Sequence, residues 1–194
     1  ADEYHDHGHD HNPAVTRAME GRHILGFNYR MNELQGALGL AQLRKLDTVC
    51  AEQVKNKTKI KGFLSRVKEV GLREIPDPAG DTATFLAFNL PTEELAAKFQ
   101  KSLAAGGVDT VCFKANKWHY APNWEHMMAR STANPKQYPF TDPSYRGKVI
   151  YDRKDIPQAE DLLGRTLVMG ISVKMTDERI AQIKAAVEKA AQEL

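Results

Sequence analysis

The stretch from Met31 to Leu46 constrains the fold of this chain more than any other feature. Its apolar residues recur at helical spacing and widen into a face that covers most of a helix, namely Met31, Leu34, Leu38, Leu40, Ala41, Leu43 and Leu46. A helix with so wide an apolar face is expected to be buried on several sides. Gly36 and Gly39 each lower helix propensity by roughly 1 kcal/mol, and they predict the close approach of another backbone. The sequence leaves open whether that backbone belongs to the same chain or to a second subunit.

The rest of the hydrophobic pattern predicts an α+β fold in which helices and strands alternate. Helices are expected over 47–70, after a cap at Thr92, from Pro157 and after a cap at Thr176, and strands over 84–90, 108–113 and 167–173. The first of these helices is predicted to bury Ile60, Phe63, Leu64, Val67 and Val70 and to keep Lys55, Lys57, Lys59 and Lys61 on its solvated side. Residues 114–153 lack periodicity, which is typical of a long functional loop.

Composition narrows the class of partner. The 194 residues include 27 Lys and Arg against 25 Asp and Glu, a formal net charge of +2, so nucleic acid and anionic membranes are not expected partners. No apolar run reaches the roughly 18 residues that a membrane-spanning helix needs. Cys50 and Cys112 lie far apart in apolar surroundings. They predict reduced thiols, and hence a cytoplasmic protein.

Four histidines alternate near the start of the chain, at His5, His7, His9 and His11. In an extended strand this spacing would place all four imidazoles on one side, where they could hold Zn²⁺ or Ni²⁺. Structural zinc sites, however, usually draw on separated pairs of ligands. The preferred interpretation is a polar loop whose histidines form local hydrogen bonds, and no metal site is predicted.

A second cluster of aromatic and titratable residues lies in the long loop, and it consists of Trp118, His119, Tyr120, Trp124 and His126. Aromatic walls beside a histidine suit the binding of sugars and small acids. The same residues could equally fill a core that the loop covers. The sequence favours neither interpretation.

The segment that leads into the apolar helix is the most specific part of the sequence. A glycine turn at Gly26 is expected to deliver Asn28 and Arg30 to the helix entrance. Helix entrances attract anions because free N–H groups and the helix dipole converge there. The Asn28 amide could therefore donate to a phosphate while Arg30 adds positive charge. An ordinary cap by Asn28 beside a surface Arg30 is the alternative.

Two motifs connect these observations. The first is GFNYRMNELQGALGLAQL over 26–43, and the second combines IPQAEDLLGRTL over 156–167 with MTDE over 175–178. Together they resemble the signature of the DegT/StrS family of pyridoxal-phosphate-dependent sugar aminotransferases. The family usually has a proline near Gly170, where this chain departs from it. With the elements between them, the motifs cover almost the whole chain.

The resemblance implies the C-terminal part of a fold-type I aminotransferase. Residues 1–46 would be a remnant of the large cofactor domain with a long buried helix at the domain and dimer interface, and 47–194 would be the small C-terminal domain. No catalytic residue is expected in the chain, since the Schiff-base lysine would lie upstream of Ala1. Lysines 114, 117, 148 and 154 do not stand in the family's catalytic context, so the isolated chain is expected to be inactive.

The resemblance also implies roles for individual residues. Asn28 would reach across a homodimer to the phosphate of the partner's pyridoxal phosphate, with Arg30 beside it. Tyr29 would lie on the substrate side of the same site. Trp118, His119 and Tyr120 occupy the loop where related enzymes approach their substrate.

The reaction implied for the whole enzyme is transfer of an amino group from glutamate or glutamine to a keto-sugar, in the synthesis of surface-polysaccharide (lipopolysaccharide) precursors. The residues Asp6–His9 and Asn116–Tyr120 resemble a subgroup that aminates a 3-deoxy-octulosonate. Two alternatives remain open at this point. One is a sugar 3-dehydratase of the same family, and the other is a non-enzymatic, His-rich metal-binding module.

Overall fold

The computed structural model describes residues 1–144, 146–147 and 150–194, with Arg153 described by its backbone alone. Lys148, one of the four lysines considered above, lies outside the described residues. The chain divides into two compact units, Ala1–Asp47 and Thr48–Leu194. No helix in the described part of the chain is long and apolar enough to cross a membrane.

The first unit contains little regular structure before its main helix. It begins with α1 (Asp2–His5), continues through a 3₁₀ turn (Arg17–Met19) and ends in α2 (Glu33–Leu43). Two isolated β-bridges join its segments, between Asp6 and Asn28 and between His9 and Arg22. Glycine is required where these segments cross: Gly8 has φ +80°, and a Cβ there would collide with the carbonyl oxygen of Ile24.

Helix α2 differs from the prediction in its burial. None of its residues is buried within the chain, and Leu34, Leu38 and Leu43 are 79%, 60% and 65% exposed. The expectation of a helix buried on several sides is therefore wrong for this chain in isolation. The wide apolar face is present as predicted, but the first unit has no second layer that could cover it. Coverage by another subunit or another part of a longer protein remains a prediction.

The second unit combines a three-stranded antiparallel sheet with helices. Most of α3 (Leu46–Leu64) belongs to it, and it continues with β1 (Gly71–Leu72), β2 (Phe85–Asn89), α4 (Glu93–Ala105), α5 (Glu125–Met128), α6 (Pro157–Gly164), β3 (Thr166–Gly170) and α7 (Asp177–Gln192). The strand order is β1-β2-β3. Three short 3₁₀ turns (Phe113–Ala115, Ala121–Asn123, Arg153–Asp155) lie between α4 and α6.

The hydrophobic core lies between this sheet and helices α4 and α7. In the β2–β3 register, Leu86 pairs with Met169 and Phe88 with Leu167, so alternate side chains reach the same buried face. There they meet the apolar stripes of the two helices, which include Phe99, Leu103, Ile183 and Val187. Burial of these stripes is what the helical spacing predicted, and it fixes the order of the layers.

Both predicted helix caps are confirmed. The Thr92 side chain accepts a hydrogen bond from the Leu95 amide at 3.3 Å, and the Thr176 side chain accepts one from the Arg179 amide at 3.2 Å. Each hydroxyl satisfies one of the amides that the first helical turn leaves unpaired. Gly107 follows α4 with φ +74°, a conformation that favours glycine.

Three predicted boundaries differ from the structure. Helix α3 ends at Leu64, and two tight turns lead from there to Val70, because the chain must reverse to enter β1 at Gly71. The predicted strand over 108–113 is reduced to a single bridge between Val111 and Val168. The strand predicted over 167–173 ends at Gly170.

Lys57 also differs from the prediction, since it is buried while Lys55, Lys59 and Lys61 are exposed. Its Nζ lies 2.5 Å from Asp81, which is 24 residues further along the chain. The hydrogen bond from Lys57, supported by the Ala83 amide, holds the pKa of the Asp81 carboxyl below its ordinary value. Burial of the lysine is tolerated because its charge is paired.

We predict that Lys57→Met lowers the free energy of unfolding by about 1–3 kcal/mol at pH 7, because Asp81 then loses its charged partner. The depressed pKa of Asp81 means that this stabilisation is present above its unfolded value of about 3.9 and is lost as the pH falls through the folded value. The difference between variant and wild type should therefore shrink in acid, as measured by urea denaturation across pH.

Lys59→Met is the matched control. Lys59 lies 3.3 Å from Asp177, whose side chain is 94% exposed, so the change should stay within about 0.5 kcal/mol. Equal effects of the two variants would contradict the assignment of a buried, stabilising pair to Lys57 and Asp81.

Candidate functional site

The candidate site begins at the entrance to α2. Asn32 caps this helix: its side chain accepts from the Gln35 amide at 2.8 Å, and the Gln35 side chain accepts in return from the Asn32 amide at 2.9 Å. The alternative in which Asn28 is an ordinary cap is therefore wrong. Asn28 lies before the helix, where its backbone bridges to Asp6.

The side-chain amide of Asn28 has a fixed orientation. Its Oδ1 accepts hydrogen bonds from the backbone N–H of Arg30 at 3.3 Å and from the Arg30 Nε at 3.4 Å. Because two donors face the oxygen, the Nδ2 group points the other way. Asn28 is exposed. Its two amide hydrogens are thus available to an acceptor outside the chain.

Arg30 lies between Asn28 and a buried carboxylate. Its Nε is 3.1 Å from Asp6 Oδ1, while its own side chain is about half exposed. The guanidinium therefore carries positive charge at the same surface as the Asn28 amide. An amide donor beside a guanidinium is a donor set that suits a phosphate.

Asp6 is the buried anion beneath this surface, with only 2% of its area exposed. Its Oδ2 accepts from Arg17 Nη2 at 2.6 Å and lies 3.5 Å from His11 Nε2. The hydrogen bond from Arg17 is the main cause that holds the pKa of Asp6 below its ordinary value, and the same bond raises the pKa of Arg17. Sequence reasoning missed this pairing, since nothing in the spacing of the two residues indicates it.

The alternating histidines do not form one row. His7 and His11 have φ of +57° and +53°, so the backbone turns at each of them instead of remaining extended. Their contacts are local: His5 Nδ1 lies 2.7 Å from the Asp2 carbonyl, and the buried His9 lies 2.9 Å from Glu20. Among the described residues, no group of three or more His, Cys, Asp or Glu side chains is placed to hold a metal ion.

Tyr29 is exposed on the same unit, beside two further aromatic rings. It stacks on Phe27 with ring centroids 5.6 Å apart, and Tyr4 lies 6.0 Å from it. With 63% of its surface exposed, Tyr29 is accessible to a ligand. The three rings form an aromatic patch, and two of them, Phe27 and Tyr29, flank Asn28 in the sequence.

The loop residues of the second unit do not converge on one pocket. Trp118 is 80% exposed and His119 is exposed, with its ring 5.1 Å from that of Phe113. Tyr120 is only 1% exposed and belongs to the interior. Trp124 donates from Nε1 to the Trp118 carbonyl at 3.2 Å and thereby holds the loop. The cluster thus contains both an exposed aromatic surface and a buried filler.

The second unit also carries an apolar cavity of about 460 Å³ on the sheet. Residues of β1, β2, β3 and α6 line it, together with Arg73, Glu74 and Phe113. None of the predicted site residues is among its lining, so it adds no support for the predicted substrate contacts.

We predict that Arg17→Gln raises the pKa of the Asp6 carboxyl, because the strongest hydrogen bond to the charged form is lost. Asp6 stabilises the first unit above its unfolded pKa of about 3.9, and this stabilisation disappears as the pH falls through the lower, folded value. The variant should therefore lose it at a higher pH than the wild type. Titration of the carboxyl ¹³C shift of Asp6 measures the change directly.

Arg22→Gln serves as the control for this titration. Arg22 contacts His9 at 3.3 Å and makes no contact with Asp6 within the described residues. An equal rise in the pKa of Asp6 in both variants would show that Arg17 acts only through the overall charge of the unit.

Comparison with known protein families shows which family the chain belongs to. A sequence model of the DegT/DnrJ/EryC1/StrS aminotransferase family matches residues 1–143, most of the chain, and the chain therefore belongs to this family. The motif over 26–43, from which the resemblance was drawn, lies inside the matched range. The second motif, over 156–178, lies beyond it.

Solved structures support the same fold. Helicobacter pylori PseC, an aminotransferase involved in pseudoaminic acid biosynthesis, is 17% identical to this chain, with a TM-score of 0.67. The match covers 100% of this chain and 45% of PseC. The aminotransferase TlmJ from Streptoalloteichus hindustanus is 14% identical, with a TM-score of 0.68, and the match covers 98% of this chain and 44% of TlmJ. Spr1654 from Streptococcus pneumoniae is described as a sugar aminotransferase and was solved in its PMP-form. It is 12% identical, with a TM-score of 0.69, and the match covers 99% of this chain and 44% of Spr1654.

At identities this low, the structural similarity establishes the fold alone. The chain shares it over its whole length, and it spans less than half of the length of each of these three proteins. The expectation of a mixed helix and sheet fold of the sugar aminotransferase type is confirmed.

Proposed function

We propose that this member of the DegT/DnrJ/EryC1/StrS aminotransferase family is the C-terminal portion of a cytoplasmic, homodimeric, pyridoxal-phosphate-dependent sugar aminotransferase. Residues 1–46 would belong to its cofactor domain and interface, and 47–194 would form its small domain. The enzyme would move an amino group from glutamate or glutamine to a keto-sugar used in surface-polysaccharide synthesis, with a 3-deoxy-octulosonate as the favoured substrate.

The observation that carries this proposal is the arrangement of Asn28 and Arg30. An exposed amide whose oxygen is already held, and whose N–H groups are therefore free, lies beside a half-exposed guanidinium. These groups fit the phosphate of pyridoxal phosphate, since both donate hydrogen bonds and one brings positive charge. Known Spr1654 structures include a PLP-form and a PMP-form, which agrees with such a cofactor in the family.

In this proposal the chain contributes binding and orientation. Pyridoxal phosphate, when bound, supplies the electron sink that makes the exchange of amino groups possible. Asn28 would donate to the phosphate, Arg30 would balance its charge, and Tyr29 would offer its exposed ring on the substrate side. Holding the phosphate fixes where the reactive end of the cofactor lies, which is the protein's share of the catalysis.

Trp118 and His119 are the proposed substrate contacts of the second unit. An exposed indole and an adjacent imidazole suit the apolar face and the hydroxyl groups of a sugar. Tyr120 was predicted to bind substrate as well, but its side chain is buried and presents no surface to a ligand. We assign it instead to the support of the loop from the interior.

We predict that Asn28→Ala in the complete enzyme raises the Kd for pyridoxal phosphate by roughly 10- to 100-fold, which is the loss expected for hydrogen bonds to a charged group. The melting temperature of the cofactor-free enzyme should change little, because no described residue accepts from the Asn28 N–H groups and the two hydrogen bonds that its Oδ1 accepts are exposed to solvent. Fluorescence titration of the cofactor-free enzyme and thermal melting measure the two quantities.

Asn32→Ala is the matched control, since Asn32 caps α2. It should cost about 1 kcal/mol of stability and leave the Kd unchanged. If Asn28→Ala behaves like Asn32→Ala, Asn28 is structural and the proposed phosphate contact is wrong.

We predict further that the isolated 194-residue chain catalyses no transamination and that no single lysine in it reacts selectively with pyridoxal phosphate. Nucleophilic attack needs a neutral amine. Lys114 lies 2.6 Å from Glu93, which raises its pKa and keeps it protonated, and Lys117 pairs with Glu125. Borohydride trapping followed by peptide mass spectrometry tests this, and stoichiometric labelling at one lysine would contradict it.

A further inference from the structure

The proposed phosphate contact depends on a residue that does not reach the phosphate. Asp6 is buried in a unit that has no buried hydrophobic side chain. A buried carboxylate is unfavourable unless cations and hydrogen bonds compensate for its lost hydration. Here the compensation comes from Arg17, at 2.6 Å from Oδ2, and from Arg30, at 3.1 Å from Oδ1.

The two oxygens of Asp6 are used differently. Oδ2 accepts the well-aligned hydrogen bond from Arg17, whereas Oδ1 is buried and accepts no aligned hydrogen bond from any described residue. Its contact with Arg30 is therefore one of charge. The Nε–H of Arg30 is directed instead to Oδ1 of Asn28 at 3.4 Å. The guanidinium is thus attracted from below by Asp6 while it donates to Asn28.

The backbone fixes the distance between these groups. Asp6 and Asn28 face each other in a β-bridge, flanked by hydrogen bonds from the His7 amide to the Phe27 carbonyl at 3.0 Å and from the Tyr29 amide to the His5 carbonyl at 2.9 Å. The bridge therefore fixes the two backbone positions from which the Asp6 and Asn28 side chains extend.

We propose that Asp6 is a positioning residue for cofactor phosphate. Its charge holds the Arg30 guanidinium against Oδ1 of Asn28, and this contact turns the N–H groups of Asn28 outward. The inference rests on the proposed function, in which those N–H groups donate to the phosphate of pyridoxal phosphate. Without the charge of Asp6, Arg30 is free to turn toward solvent, and the Asn28 amide is then held only by the hydrogen bond from the Arg30 backbone N–H.

The primary test is Asp6→Asn in the complete enzyme, which removes the charge and keeps the shape. We expect the Kd for pyridoxal phosphate to rise roughly tenfold, within the range of coupling between residues in contact. The Kd for pyridoxal, which lacks the phosphate, should stay unchanged. A general structural defect would weaken both ligands equally, and that result would overturn the proposal.

A double-mutant cycle tests whether Asp6 acts through Asn28. In the Asn28→Ala background, Asp6→Asn should raise the Kd for pyridoxal phosphate by clearly less than in the wild type, because Asn28, which it positions through Arg30, is gone. Multiplicative effects would show that Asp6 acts independently of Asn28 and would overturn the inference. If Asn28→Ala itself leaves the Kd unchanged, the proposed function fails. If only Asp6→Asn leaves it unchanged, the inference fails and the proposed function stands.

Arg30→Lys keeps the test valid should Asp6→Asn not fold. Arg30 is half exposed, so a lysine is tolerated and the positive charge at the surface is kept. Lysine lacks the planar fork that donates from Nε to Asn28 while it faces Asp6. The Kd for pyridoxal phosphate should again rise roughly tenfold. Wild-type affinity in this variant would overturn the positioning role.

Asp10→Asn is the control for the charge change. Asp10 lies in the same segment, and its Oδ1 accepts from the Asn12 amide at 3.1 Å and not from Arg30. It should leave the Kd for pyridoxal phosphate unchanged. A tenfold rise here would show that the net charge of the segment, and not the Asp6 contact, sets the affinity, and would overturn the proposal.

Discussion

Pairing of the buried Asp6 with two guanidinium groups is the interaction on which the first unit depends. No hydrophobic side chain of residues 1–47 is buried, whereas Asp6 and His9 are. A unit without an apolar core receives little stabilisation from the hydrophobic effect. Hydrogen bonds and ion pairs between its segments must then define the geometry. The same hydrogen bonds and ion pairs therefore set the geometry of the site at Asn28.

The second unit follows the opposite rule, and this explains which predictions succeeded. Its sheet and the helices α4 and α7 bury regular apolar stripes, whose spacing is visible in the sequence. Its caps at Thr92 and Thr176 are local signals, complete within three residues. Elements of this kind can be predicted because the interactions that stabilise them are short in sequence or periodic.

The failures share another physical cause. Lys57 is buried because Asp81 meets it from 24 residues away, and no local pattern reports such a pair. The importance of Asp6 and Arg17 was invisible for the same reason, although the motif around Asn28 and Arg30 was evident. Helix α2 shows a further limit. Its periodicity predicts a wide apolar surface that must be buried, but it does not show whether the same chain or another molecule buries it.

The exposed helix and the proposed phosphate contact are adjacent in sequence, and this links their requirements. Arg30 is followed directly by Met31, the first residue of the apolar face, so the two surfaces adjoin in the sequence. The cover must be large and apolar, whereas the amide and guanidinium need an anion. A second copy of the enzyme that carries a bound phosphate close to its interface would meet both needs at once. This coincidence supports the proposal that the site is shared between two subunits.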